Sequence, residues 1–162
     1  MTLPPLPDDA IVLRADVADW RAAVREAGHA LARSGATAPG YTDRMIEVLD
    51  EFGAYIVIAP GLALAHARPG PDVRRSGLAV VTLAAPVAFG HPHNDPVRVV
   101  LGLAVSSAEE HVASVADLAN VFNERDAIER LAGAATPAEV RAVLPADDGR
   151  TRPGTDAAGA PS

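Results

Sequence analysis

The sequence predicts an α/β fold, a three-layer α/β/α sandwich with a mixed central sheet. Two observations carry that prediction. Gly77–Leu83 and Val97–Val105 are near-continuously apolar, the mark of strands buried on both faces rather than one. Segments with helical periodicity and recognisable caps lie on either side of them in the chain and would supply the covering layers. With 162 residues, 49% of them hydrophobic, the chain can enclose one core of ordinary size.

The elements follow in order. Ile11–Leu13 reads as a short strand. Asp16 is then expected to cap a helix that places Trp20, Val24, Ala27 and Leu31 on one face, with His29 on the solvent side and Gly35 as the stop. A second helix, Tyr41–Phe52, turns Met45, Val48, Leu49 and Phe52 inward and ends at Gly53. Tyr55–Ile58 and Leu62–Leu64 read as strands divided by the Ala59-Pro60-Gly61 turn. After the two apolar strands, Ser107-x-x-Glu110 forms a capping box for a helix with the stripe Val112, Val115, Leu118, Ala119 and Phe122. A short helix is expected over Arg125–Leu131. Thr136-Pro137-Ala-Glu139 opens a last one with proline in its first position, running to about Leu144. Residues 1–9 are expected to be a flexible terminus, 10–144 one domain, and 145–162 a disordered tail with little to bury.

Composition excludes several function classes. There is no cysteine, which removes disulfides, thiolate metal sites and cysteine nucleophiles. All 14 basic residues are arginine, so Schiff-base chemistry is absent as well. A net charge of −7 with one Trp, two Tyr and three Phe argues against a nucleic-acid surface, which needs basic patches and stacking rings. The first residues lack the basic and apolar regions of a signal peptide, and no apolar run reaches the length of a membrane span. A cytoplasmic protein is expected. Neither a Gly-x-Ser-x-Gly elbow nor a glycine-rich nucleotide fingerprint occurs.

The residues left to carry chemistry are histidines. His66 closes an apolar strand between the small residues Ala65 and Ala67, where a bulky group or a partner could approach. Arg68 stands two residues on, a fixed cation suited to phosphate oxygens. His111 lies at a helix start, where unpaired N–H groups and the helix dipole favour an anion. Imidazole is a nucleophile near neutral pH, and together these residues suggest a histidine that carries a phosphoryl group. The bland alternative is an ordinary strand-end histidine and an exposed first-turn histidine. A competing pattern, His91-x-His93-x-Asp95, could ligate zinc in a metal-dependent hydrolase, but Pro92 and Pro96 make it a turn and a tetrahedral site needs more ligands.

Several motifs in order resemble one family. Tyr41-x-x-x-Met45, the stretch Glu51 to Pro69, Asn94-Asp-Pro-Val97, and His111 ahead of Leu118-Ala-Asn-Val-Phe122 are similar to the IIA components of the mannitol/fructose class of the phosphotransferase system (PTS). Phe52-Gly to Pro69 and His91-x-x-Asn-Asp-Pro-Val look closest to the ascorbate-specific members. The resemblance spans about residues 10–144 and implies a phosphotransferase relay. His66 matches the histidine that accepts phosphate from the phosphocarrier HPr and gives it to a IIB component, which serves a membrane IIC subunit. His111 matches the second histidine of the phosphate pocket, with Arg68 and Ser107 as supporting residues. No metal or cofactor is implied, because the phosphate arrives already bound to another histidine. Two departures stand out: the usual proline before the active histidine is Ala65, and an arginine of mannitol-type members is replaced by Val48. Arg68 could take over that charge. A regulatory IIA-like protein is the alternative within the family. The sugar and the oligomeric state, monomer or homodimer, stay open.

Overall fold

The computed structural model describes residues 3–148. Strands β4 (Gly77–Val87) and β5 (Val97–Ala104) pair antiparallel in the interior of a five-stranded sheet. Their burial follows from the continuous apolarity of both segments. β1 (Ile11–Ala15) joins β4 in parallel, and β3 (Leu62–His66) joins β5 in parallel. The short β2 (Val57–Ala59) closes the far edge as a hairpin with β3, giving the order β1-β4-β5-β3-β2. The sheet is therefore mixed, as the sequence predicts. The expected strand over Tyr55–Ile58 starts later, because Ala54–Ile56 forms a single 3₁₀ turn.

Helices α1 (Trp20–Arg33) and α2 (Gly40–Phe52) pack on each other, and α1 lies across β4 and β5. Gly102 of β5 makes that approach close, since a Cβ there would lie 3.2 Å from Leu31 Cδ1 and 3.3 Å from Ala27 Cβ. The helix cap is Asp19, not Asp16: its carboxylate accepts from the Ala22 N–H at 2.9 Å. Only the residue next to the first turn can reach that group, and Asp16 stands too far back. α3 (Ala108–Phe122), α4 (Ala127–Ala132) and α5 (Pro137–Val143) make the other layer, with α4 on β4 and β5. Thr136 caps α5 through the Glu139 N–H, as its motif predicts.

Three further expectations are corrected. The N-terminal segment is packed from residue 3 onward: Leu3 and Leu6 are buried, the Leu6 N–H donates to the Asp147 carbonyl, and Pro5 accepts from Leu78. The two leucines supply the apolar area that the surrounding prolines conceal. Ala146 packs against the core, so the last described residues are not free of it. The remainder of the expected tail lies outside the described residues. Lastly, Phe52 is 59% exposed and Val112 68% exposed, although both sit on apolar stripes. The buried face of α3 is Ser114, Leu118 and Val121.

Candidate functional site

His66 is the last residue of β3, at the point where the paired strands end. The four residues before it are buried, while the ring itself is half-buried at the wall of a cleft. Nδ1 lies 2.9 Å from the Leu64 carbonyl. A carbonyl can only accept, so in the neutral ring Nδ1 carries the proton and Nε2 keeps its lone pair. Burial pushes the imidazole below its ordinary pKa, the Leu64 bond opposes this, and repulsion from His111 adds to the lowering. The neutral, nucleophilic form is thereby favoured.

His111 faces His66 across the cleft, with ring centroids 4.9 Å apart and planes at 35°. It is placed by the first turn of α3, where Ser107 Oγ accepts from the Glu110 N–H at 3.1 Å. The Glu110 carboxylate answers by accepting from the N–H and hydroxyl of Ser106 rather than from Ser107. These contacts, with one from Ser76 as the largest contribution, hold Glu110 below the usual carboxylate range. The His111 N–H is already bonded to the Ser107 carbonyl, so an anion would meet the earlier N–H groups of the turn, at Ala108 and Glu109.

The cleft has a volume of about 830 Å³ and is lined by His66, His111 and Ala108, by Val48, Phe52 and Tyr55, and by the Ala67–Pro69 segment. Phe52 meets Tyr55 edge to face at 6.3 Å, and Tyr55 meets His66 in the same way at 6.5 Å. The wall is thus aromatic and apolar around two imidazoles, with the exposed Arg68 as its cation. Such a site can hold a small anion against a neutral nitrogen nucleophile while limiting access of water.

Residues 5–146 match the family described as the phosphoenolpyruvate-dependent sugar phosphotransferase system, EIIA 2. The chain belongs to that family. The ascorbate-specific PTS EIIA component of Escherichia coli strain K12 is 33% identical over 132 residues, 81% of this chain and 86% of that protein. Among solved structures, a PTS IIA protein from Streptococcus mutans is similar with a TM-score of 0.78 and 34% identity, covering 85% of this chain and 88% of that one. The mannitol IIA of Escherichia coli gives a TM-score of 0.74 at 27% identity, covering 84% and 96%. Proteins of this family are phosphotransferase components that relay phosphoryl groups, and this IIA chain is one of them.

Within this IIA domain the structure brings His66, His111 and Arg68 to one cleft, whereas Ser107 acts from behind as the cap of α3. Val48, where the family resemblance implies an arginine in mannitol-type members, lines the cleft. Two residues without a role in the sequence reading matter here. Arg44 donates from Nε to Asp72 Oδ2 at 2.8 Å, and from Nη2 to Asp72 Oδ1 at 2.6 Å and to the Arg68 carbonyl at 2.8 Å. It clamps the loop that carries Arg68. Tyr41 is wholly buried, with its hydroxyl bonded to Ala67 and Leu103 beside His66. A buried tyrosine needs a partner for its hydroxyl, and that was the available signal.

The His91–Asp95 segment is a loop in which His91 Nδ1 and the Asp95 carboxylate are already engaged by backbone N–H groups. His91 Nδ1 accepts from the His93 and Asn94 N–H groups at 3.1 and 3.0 Å. The Asp95 carboxylate accepts from the N–H groups of Phe89, Gly90 and His91. Asn94 reaches the Val57 carbonyl at 3.3 Å and its own carbonyl accepts from Gly61, so the loop pins the β2–β3 turn. No three acidic or histidine side chains converge on a metal position among the described residues, and the hydrolase alternative loses its ligand set. No helix among the described residues is long and apolar enough to cross a membrane.

Proposed function

We propose that this chain is a cytoplasmic phosphocarrier that accepts a phosphoryl group from phospho-HPr on Nε2 of His66 and passes it to an ascorbate-type IIB component. The observation that carries the reading is the bond from His66 Nδ1 to the Leu64 carbonyl. It leaves Nε2 as the nucleophile and stabilises the positive charge the ring gains as the new P–N bond forms. The donor's P–N bond breaks and its electron pair returns to the donor imidazole, so no metal-bound water or external base takes part. Phosphoryl transfer passes through a loose transition state, in which positioning and charge neutralisation do most of the work. Arg68 and the α3 N-terminus beside His111 meet the phosphoryl oxygens, and Ser107 holds that turn in place. The acidic chain, at −7, suits a donor with a basic docking face. The ascorbate assignment rests on the identity to the ascorbate-specific relative.

Incubation with phosphoenolpyruvate, enzyme I and HPr should add one acid-labile phosphate, and His66→Ala should abolish it. Labelling that survives this change rejects the nucleophile. Discharge to an ascorbate-type IIB, and not to a mannitol-type IIB, supports the transport assignment. A label that no IIB removes points to a regulatory phosphoprotein.

A further inference from the structure

We propose that Tyr41 is a positioning residue for phosphoryl transfer, its buried hydroxyl serving as the ladder rung immediately beyond His66. The inference rests on His66 being the nucleophile. β3 and β5 are paired residue by residue from Leu62↔Val99 to His66↔Leu103. On the other side of β5, Leu103 is opposite Leu78, whose N–H turns away to the Pro5 carbonyl. In an antiparallel pair the two residues turn their polar groups together, toward or away from each other. The Leu103 carbonyl therefore faces β3, and the next parallel rung would run to it from the Ala67 N–H.

Tyr41 carries that rung. Its oxygen accepts from the Ala67 N–H at 3.0 Å and donates to the Leu103 carbonyl at 2.7 Å. A phenol has one proton to give and lone pairs to receive, so one hydroxyl satisfies both groups. All three residues are buried, and water does not compete. Burial is also the largest influence on the phenol, raising its pKa and keeping it protonated as the donor. The ladder is held together at the residue where the strands must part to open the cleft. The backbone of residues 64–67 sets the distance from His66 Nδ1 to the Leu64 carbonyl, so the hydroxyl governs the tautomer and aim of the ring without touching substrate.

Tyr41→Phe removes the oxygen and keeps the ring. With HPr as donor, turnover at saturating phospho-HPr should fall by about ten- to a hundred-fold, the scale of a small misplacement of a reacting group, while KM stays constant. Nitrogen-15 NMR of the unphosphorylated protein should show His66 changing from the Nδ1–H tautomer to a mixture. Unchanged turnover, or an unchanged tautomer in a folded variant, overturns the proposal. Should Tyr41→Phe fail to fold, 3,5-difluorotyrosine at position 41 keeps the oxygen, and its two ring fluorines make the hydroxyl a stronger donor and a weaker acceptor. An altered His66 spectrum and transfer rate then support the role, and unaltered ones refute it. The ring spectrum needs no phosphate, so it reports on Tyr41 even if wild-type labelling shows that His66 is not the acceptor.

Discussion

Breaking the Arg44–Asp72 pair should weaken both the fold and the relay. The pair is bidentate, at 2.8 and 2.6 Å, and Arg44 gives a further bond to the Arg68 carbonyl. Side-chain exposures of 33% and 18% place it between two regimes. Exposed pairs contribute about 0.2–1 kcal/mol, and hydrogen bonds to charged groups about 1.5–3 kcal/mol. A coupling energy of about 1.5 kcal/mol is therefore expected, equivalent to roughly 3–6 °C in Tm for a chain of this size. Urea unfolding of Arg44→Met, Asp72→Asn and the double variant measures it. Arg44 holds the Asp72 carboxyl below its ordinary range. A depressed acid contributes stability that is fully present above its unfolded value of about 3.9 and is lost as pH falls through the folded value. The coupling should persist at neutral pH and vanish in strong acid. In the relay, Asp72→Asn frees the loop bearing Arg68, so its effect on transfer and that of Arg68→Gln should not add. A coupling within about 0.5 kcal/mol of zero, the ordinary scatter of independent sites, together with additive rates, would refute the clamp.

Two further outcomes follow from the packing and the titration. Gly28→Ala should destabilise by about 1–3 kcal/mol through overpacking, because the new Cβ would lie 2.2 Å from Thr42 Oγ1 where α1 meets α2; Thr42→Ala in the same chain should recover only part of it in urea melts, since the Cβ of residue 42 stays 2.7 Å away. His66, whose pKa is lowered mainly by burial, should make stability decline as pH drops through about 6.5, the unfolded histidine value, since the unfolded chain then binds a proton the fold resists. The decline levels off below the folded value. His66→Gln should remove this component, and equal slopes for both proteins between neutral and mildly acid pH would contradict it.

What the sequence could reveal depended on how local each signal was. The buried strands β4 and β5 announce themselves by continuous apolarity, and the caps Ser107 and Thr136 lie within three residues of the N–H groups they satisfy. His66, Arg68 and His111 stand on local patterns, a strand end, a nearby cation and a helix start, and the fold brings all three to one cleft. Phe52 and Val112 depart from expectation because periodicity reports apolarity and does not separate a core face from an exposed cleft wall, as at Phe52, or from exposed surface, as at Val112. Tyr41 and Arg44 carry no such local signal. Their partners stand 24 to 62 residues away in sequence, and only the folded sheet brings them beside the histidine.

The proposed phosphoryl acceptor is Nε2 of His66. Phosphorus and nitrogen-15 NMR of the phosphorylated chain tests it directly. The geometry predicts phosphorus coupled to Nε2 of His66, with Nδ1 still bound to the Leu64 carbonyl. Phosphate on Nδ1, on His111 or on no histidine would contradict it.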